Sequence, residues 1–437
     1  MEEINVGILG CGIVGTGVAR LLMEKQKLLE SRIGAVIKLK YVADIDTKKD
    51  RGIQFQEGVL ISDALKVIAD PEIDIIVELI GGQEIARDLT IKALENGKHV
   101  VTANKSLLAS FGNELVKTAR ENQVDLAFEA SCGGCMPVVK TLRESLVGNR
   151  IKSMTGIFNG TCNYILTKMS NDKLSFNDAL EQAKEKGFAE ADPCLDLEGM
   201  DSAHKLAILI SLAYGMEINL GEIHVEGITK ISPMDIEFAK EFGYAIKLLA
   251  ISKNNSTNIE ARVHPAMIPF SNPLSHVDHS MNAVIIDGDA TGPTMLYGYG
   301  AGMMPTASAV VSDISDIARN IIVGTKRRVP ILGCPESNIK IIPILPVKEI
   351  HTCYYVRFAA ADQPGVLSKI SGILGDFGIS IKIVHQKGKR SNGYVPIVMI
   401  THLAKEEHAQ KALQDISSLG TIMDDPVVIR IEEDRKE

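Results

Sequence analysis

The segment Ile4-Asn5-Val6-Gly7-Ile8-Leu9-Gly10-Cys11-Gly12-Ile13-Val14-Gly15 runs a mostly apolar stretch into three spaced glycines. Residues 4–9 read as a buried strand, and a helical pattern follows over about 14–29. A G-x-G-x-x-G run is a weak signal alone. Between a strand and a helix it has the context of a dinucleotide-binding turn. The glycines permit a tight turn and let the backbone approach a pyrophosphate, which sits on the helix N-terminus. A second strand, 37–43, ends at Asp44, whose carboxylate is placed to accept hydrogen bonds from the adenosine ribose. A cation there would favour a 2′-phosphate; Ala43 supplies none, although Lys48 and Lys49 are near, and the reading leans towards NAD. Further strands are expected at 73–80, 99–102 and 125–129, separated by helices at about 84–95 and 107–121. Such alternation means a parallel sheet with helices on both faces.

Beyond residue 129 the alternation lapses. Strands are expected at 151–158, 245–252, 258–263, 282–287 and 294–297, and helices at about 161–169, 175–186, 201–214, 232–241 and 305–322. Ser232 is a plausible N-cap with Pro233 at the first helical position. This pattern predicts an α+β domain behind the nucleotide fold. Residues 328–348 carry Pro330, Pro335, Pro343 and Pro346 and read as a linker. After it come strand 351–360, helix 366–377, strands 380–386 and 395–403, a helix to about 419 and strand 427–431. That βαββαβ order is ferredoxin-like. The expected division is 1–130 for the Rossmann-type domain, with a return helix at about 303–322; 131–325 for the α+β domain; 326–349 for the linker; and 350–437 for the last unit.

At 437 residues the chain can hold two or three domains with cores of their own. A net charge of −8 without a basic run argues against nucleic acid as a partner. The longest apolar run, 206–214, falls short of the ~20 residues a bilayer needs. Met-Glu-Glu leads directly into a strand, unlike a signal peptide. Seven scattered cysteines fit a reduced, cytoplasmic setting.

Three stretches carry chemistry. In Gly187-Phe188-Ala189-Glu190-Ala191-Asp192-Pro193-Cys194-Leu195-Asp196-Leu197-Glu198-Gly199-Met200-Asp201-Ser202-Ala203-His204-Lys205, Asp201 and Lys205 are one helical turn apart. Glu190, Asp192 and Asp196 precede them in a loop with Pro193. Acids ahead of a lysine-bearing helix suit a small substrate with an amino group and a reactive carbonyl; the same pattern also fits a solvated loop capping a helix. Thr102-Ala103-Asn104-Lys105 ends a strand at the carboxyl edge of the sheet. Lys105 could serve a carboxylate or the nicotinamide edge there, or be a surface lysine. Phe128-Glu129-Ala130-Ser131-Cys132-Gly133-Gly134-Cys135-Met136-Pro137 exposes backbone carbonyls beside the Glu129 carboxylate. Oxygen-only ligation suits a hard cation; a plain tight turn is the other reading. Cys132 and Cys135 form a C-x-x-C without a second pair, which argues against zinc.

Taken together, these residues resemble homoserine dehydrogenase along essentially the whole chain. The resemblance rests on the Gly10–Gly15 loop, Val77-Glu78-Leu79-Ile80-Gly81-Gly82, Thr102-x-Asn104-Lys105, Asn159-Gly160-Thr161-Cys162-Asn163-Tyr164-Ile165-Leu166, the 187–205 stretch, and Leu296-Tyr297-Gly298-Tyr299-Gly300-Ala301-Gly302 through Pro305-Thr306-Ala307-Ser308. The last unit resembles an ACT domain, with the loop Asp362-Gln363-Pro364-Gly365-Val366-Leu367. No kinase region precedes the dehydrogenase, which implies the single-activity form.

The resemblance implies NAD(P)-linked interconversion of L-homoserine and L-aspartate 4-semialdehyde in threonine, methionine and isoleucine synthesis. It maps the substrate's ammonium group to Glu190 and Asp196, and the acid–base step to Lys205 with Asp201 beside it. Lys105 falls by nicotinamide and substrate. Cofactor contacts fall at Gly10, Gly12, Ile13, Val14, Gly15, Asp44, Gly81, Thr102, Lys105 and Gly302. A monovalent cation, sodium, maps to the Glu129 side chain and the carbonyls of Cys132, Gly134 and Met136. Cys132-Gly133-Gly134-Cys135 departs from the family's usual Val-Gly-Gly-Gly; main-chain ligation should survive, while cysteine oxidation could disturb it. The resemblance further implies a homo-oligomer, dimer or tetramer, joined through the 131–325 domain, and threonine as effector of the ACT unit, for which dimerisation alone is the other reading.

Two competing functions remain. A semialdehyde dehydrogenase needs a reactive cysteine and a base; Cys135 qualifies, but the Lys205 constellation would be idle. A non-catalytic nucleotide and amino-acid sensor would have no use for an intact Lys105, Glu190, Asp201 and Lys205 set.

Overall fold

The computed structural model describes residues 2–386 and 394–433; residue 1, and 387–393 and 434–437 of the expected last domain, lie outside the described residues. The chain forms two compact units, one from 1–154, 203–221 and 282–342, the other from 155–202, 222–281 and 343–437.

The first unit opens with β1 (Glu3–Leu9), largely buried, as a central parallel strand must be. The helical pattern expected over 14–29 is two helices, α1 (Ile13–Glu24) and α2 (Gln26–Ile33). The backbone breaks helical geometry at Lys25, and α2 ends on Gly34 in the left-handed region at φ +88°. There follow β2 (Val36–Ala43), β3 (Leu60–Ile61), α3 (Ala64–Ala69), β4 (Ile75–Glu78), α4 (Glu84–Glu95), β5 (His99–Thr102), α5 (Lys105–Glu121) and β6 (Leu126–Ala127). All pairings are parallel, in the order β3-β2-β1-β4-β5-β6. That is the Rossmann order, with its switch point at the carboxyl ends of β1 and β4. The strand expected at 125–129 is cut short. Glu129 leaves it for a 3₁₀ turn and accepts the N–H groups of Val139 and Lys140 (2.9 and 2.8 Å) at the start of α6 (Val138–Lys140).

β7 (Ile151–Ile157) leads onward to α7 (Gly160–Asn171), α8 (Phe176–Glu185), the short α9 (Cys194–Leu197) and α10 (Met200–Tyr214). Next come β8 (His224–Val225), α11 (Pro233–Glu241), β9 (Tyr244–Asn254) and β10 (Ile259–Pro269). Ser232 caps α11 as its spacing predicted. Its hydroxyl accepts from the Asp235 N–H, Asp235 accepts from the Ser232 N–H, and Pro233 opens the helix. β9 and β10 pair antiparallel along their full length, and nearly every residue of β10 is buried. β11 (Met281–Gly288) and β12 (Gly292–Tyr299) precede α12 (Met303–Ile322), which returns to lie on α1, with Met303 and Ala307 against Gly17.

The stretch expected as a linker is instead packed. Ile331, Leu332 and Ile344 are buried, the Lys340 N–H donates to the Gly215 carbonyl, and the Ile259 N–H donates to that of Pro343. The βαββαβ unit follows as β13 (His351–Ala361), α13 (Val366–Asp376), β14 (Ile381–Gln386), β15 (Tyr394–Thr401), the two-residue β16 (Ala404–Lys405), α14 (Glu406–Ser417) and β17 (Val427–Ile431). Its antiparallel sheet, in the order β17-β13-β15-β14, buries Phe358 and Met399 against Ile370 of α13 and Ile416 of α14. β17 has a second partner: it pairs antiparallel with β13 and parallel with β10, Ala266 opposite Arg430. Among the described residues no helix is long and apolar enough to cross a membrane.

Candidate active site

The glycine turn sits at the switch point. A β-carbon on Gly15 would lie 2.1 Å from the Gly10 carbonyl oxygen, so only glycine lets α1 leave β1 at this angle. The space beside Gly12 is open, and Gly12 caps α1 without a side-chain acceptor. The first N–H groups of α1, from Ile13 and Val14 onward, therefore face space that an anion can enter.

Asp44 stands where the sequence placed it, but it is already engaged. Its carboxylate accepts the N–H groups of Cys11 (2.7 Å) and Asp46 (2.9 Å) and lies 3.1 Å from the Arg51 guanidinium. Burial would raise its pKa, but these donors and the Arg51 charge hold it below the usual carboxylate range. Arg51 also donates to the carbonyls of Cys11 (2.8 Å) and Asp46 (2.6 Å), pinning the loop after β2 to the glycine turn. Sequence proximity pointed to Lys48 and Lys49; the cation that reaches Asp44 is seven residues away.

At the ends of β4 and β5 a second network forms. Glu78, fully buried, accepts from the Thr102 hydroxyl (2.6 Å) and the Ile80 N–H (2.7 Å). Burial pushes its pKa up to about 7 against those hydrogen bonds. Asn104 donates to the Ile80 and Gly82 carbonyls, spanning Gly81, and its side-chain oxygen caps α5, whose first residue is Lys105. Glu78 and Asn104 thus fix the Thr102–Lys105 edge, a role the sequence did not reveal.

Glu129 is buried, with both carboxylate oxygens turned to the α6 amides. Burial and the neighbouring Asp313 raise its pKa to about 7. The following loop holds Cys132 buried, and its thiol donates to the Lys205 carbonyl (3.8 Å). The Cys135 N–H donates to the Tyr299 carbonyl (3.2 Å), which sets the loop beside the segment leading to Gly302, the N-cap of α12. Among the described residues no three His, Cys, Asp or Glu side chains gather as a metal would need. A cation here would therefore depend on backbone oxygens, which is the donor set of the Cys132–Met136 loop.

α10 carries Asp201 in its first turn and Lys205 one turn on, both buried. In the second unit Asn159, the N-cap of α7, donates through its amide to Asp196 (2.7 Å) and Asp201 (2.9 Å). Thr161 donates to Asp196 (3.1 Å) and to the Phe188 carbonyl (2.6 Å). Asp196 and Asp201 are therefore brought together by one asparagine. Asn159 and Thr161 were legible only as matching residues of a motif; neither the cap that Asn159 forms on α7 nor its tether to the two aspartates was read from the sequence. Glu190 and Asp192 are exposed, in the loop before α9.

Three family models match the chain: the homoserine dehydrogenase NAD binding domain over 10–129, homoserine dehydrogenase over 137–315 and the ACT domain over 354–421. A homoserine dehydrogenase of Neisseria gonorrhoeae is 42% identical over 432 residues, 99% of each chain. Among solved structures, a homoserine dehydrogenase from Thiobacillus denitrificans superposes with a TM-score of 0.94 at 42% identity, covering 99% of both chains. A hyperthermophilic archaeal homoserine dehydrogenase in complex with NADPH matches 71% of this chain and 96% of its own, with a TM-score of 0.61 at 27% identity.

Proposed function

The chain belongs to the homoserine dehydrogenase family, and from that premise we propose how its residues share the NAD(P)-dependent interconversion of L-homoserine and L-aspartate 4-semialdehyde. The observation that carries the reading is the joint tethering of Asp196 and Asp201 by Asn159, with Lys205 one turn beyond Asp201 on α10.

Gly10, Gly12, Ile13, Val14 and Gly15 would receive the pyrophosphate and Asp44 the ribose, Gly81, Thr102 and Gly302 would also contact the cofactor, and Lys105 would serve its nicotinamide end. Arg51 offsets the Asp44 charge that would repel a 2′-phosphate, which supports the use of NADP as well as NAD. When bound, the nicotinamide supplies or accepts the hydride. Glu190 and Asp196 would hold the substrate's ammonium group, and Lys105 would serve both substrate and nicotinamide. Lys205 stabilises the negative charge that builds on the aldehyde oxygen during reduction and donates a proton to it; in the reverse direction it takes the hydroxyl proton. Asp201 orients Lys205. Carbonyls of Cys132, Gly134 and Met136 would hold a sodium ion, with the Glu129 carboxylate, itself bonded to the α6 amides, supplying charge beside them. The exposed row Met295, Tyr297 and Tyr299 on β12 suits a second copy of the chain, in a cytoplasmic homo-oligomer.

Absorbance at 340 nm with L-homoserine and NAD⁺ or NADP⁺, in sodium and in potassium buffer, tests this directly. Turnover supports the assignment and ranks the cofactors; no turnover despite bound cofactor rejects it. Glu190→Gln is expected to raise KM for homoserine about tenfold, since a charge-assisted contact is lost, with KM for cofactor nearly unchanged. Equal effects on both would assign Glu190 a structural role.

For the C-terminal unit we propose threonine feedback. Gly365, at φ +86°, opens α13 without a side-chain cap, so its first N–H groups can meet a carboxylate. Threonine should slow turnover in a saturable way; unchanged velocity would leave the unit to dimerisation.

A further inference from the structure

Arg430 of β17 is buried, and its guanidinium grips two carboxylates. Nη1 and Nη2 donate to the two oxygens of Glu226 (3.0 and 2.9 Å), while Nε and Nη2 donate to those of Glu406 (2.8 and 2.5 Å). Glu406 opens α14 and also accepts from the Tyr354 hydroxyl (2.7 Å). Glu226 directly follows β8. Burial would raise its pKa, but the His224 and Arg430 contacts hold it well below the usual carboxylate range. This bidentate geometry constrains position as well as charge.

What Glu226 holds in place is the floor of α9. The Ile228 N–H donates to the Leu197 carbonyl (2.9 Å). A β-carbon on the intervening Gly227 would lie 2.2 Å from that same carbonyl oxygen and 2.6 Å from the Glu198 Cα, so the two backbones touch. Just beyond α9, Gly199 rests on the Val225 side chain and the Glu226 carbonyl. The segment is anchored on its other side by the Glu226 N–H to the Val263 carbonyl (2.8 Å). α9 has four residues and cannot hold its own position by helical cooperativity. It carries Asp196.

We propose that Arg430 and Glu226 are positioning residues for Asp196: their ion pair fixes segment 225–228, on which α9 lies, so the C-terminal βαββαβ unit sets the geometry of the substrate's ammonium subsite. The inference rests on the assignment of Asp196 to that subsite. A buried ion pair is weak support for stability but demands one arrangement of its partners, and here the partners join the last strand of the chain to the substrate turn.

The test is steady-state kinetics of the full-length chain with Glu226→Gln, Arg430→Gln, their combination and Asp196→Asn. Glu226→Gln should raise KM for homoserine about tenfold, with kcat and KM for cofactor within about twofold, because a carboxylate displaced by a fraction of an ångström loses its ligand. The double variant should be no worse than Arg430→Gln alone, since both remove one interaction. A purely structural role would lower the melting temperature and the active fraction and leave homoserine KM untouched. Unchanged KM in Glu226→Gln, alongside a raised KM in Asp196→Asn, overturns the inference and keeps the substrate assignment; unchanged KM in Asp196→Asn removes both. If Arg430→Gln does not fold, Glu226→Gln still decides, because it leaves the Arg430–Glu406 pair in place.

Discussion

Lys205→Ala is expected to lower kcat by about 10²–10⁴-fold, the range for removing a positioned proton donor, with cofactor binding intact. Lys205 is buried on α10, a helix whose residues from Ala203 to Leu212 are themselves almost entirely buried. Its backbone carbonyl accepts the Cys132 thiol, which ties this turn of the helix to the loop after Glu129. Truncation at the β-carbon leaves that main-chain contact standing, so the loss should fall on chemistry. Lys205→Arg separates charge from proton transfer. The guanidinium keeps a positive charge near the oxygen but does not release its proton in the physiological range. It should retain homoserine binding and still turn over slowly. Single-turnover reduction monitored at 340 nm, with cofactor affinity from quenching of nicotinamide fluorescence, measures both. Near-normal turnover in the alanine variant would assign the proton step elsewhere.

The framework was legible because its signals are local. The strand, the glycine turn and the helix N-terminus lie within fifteen residues, and the Ser232–Pro233 cap within two. Where partners lie far apart in sequence, local reading failed. Arg51 reaches Asp44 by folding back over its own loop, so the nearer lysines drew attention instead. The prolines of 328–348 erase any period, which suggested a linker, yet Ile331, Leu332 and Ile344 are buried, and the backbone of Lys340 and Pro343 hydrogen-bonds to Gly215 and Ile259, remote in sequence. Lys25 interrupts a helix whose apolar spacing runs on past it, because the period records which face is buried and not where the backbone changes direction. The Lys205 helix was legible, expected over about 201–214 and found as Met200–Tyr214. Asn159 was not, since a single side chain serves as helix cap through its oxygen and as tether for Asp196 and Asp201 through its nitrogen. The buried charges of β10 were the least visible. Glu260, Arg262 and His264 are buried where β8 pairs beside Arg262 and Val263, β17 pairs at Ala266 and Met267, and Glu432, just past β17, meets Arg262.

That burial sets the second large effect, an acid-sensitive junction at His264. The imidazole is fully buried in β10; its Nε2 accepts from the Arg262 Nε (3.1 Å), which leaves Nδ1 to donate to the Pro265 carbonyl (2.9 Å). Only the neutral ring satisfies both contacts. Burial, together with the Arg430 and Arg262 charges, lowers its pKa from 6.5 to about 3, with Glu432 opposing. The unfolded chain takes up a proton below pH 6.5 while the folded chain does not. The contribution is therefore complete well above pH 6.5 and is lost as pH falls towards 3, by about 3 kcal/mol between pH 8 and 4.5. Glu226 and Glu432, whose pKa values are also lowered in the fold, add losses of the same sign only below their ordinary value of 4.5. Glu78 and Glu129, raised to about 7 by burial, act oppositely and gain stability as pH falls from 7 to 4.5. The parent's own curve mixes these terms, so the readout is a difference. His264→Gln keeps an acceptor for Arg262 and removes the titration. It should be less stable than the parent at pH 8, having lost the bond to Pro265. Measured by urea unfolding, its stability relative to the parent should rise by about 3 kcal/mol from pH 8 to pH 4.5, which turns the deficit into an advantage. A deficit that stays constant across that window would mean the folded chain accommodates a charged His264, and would place the acid sensitivity in the carboxylates alone.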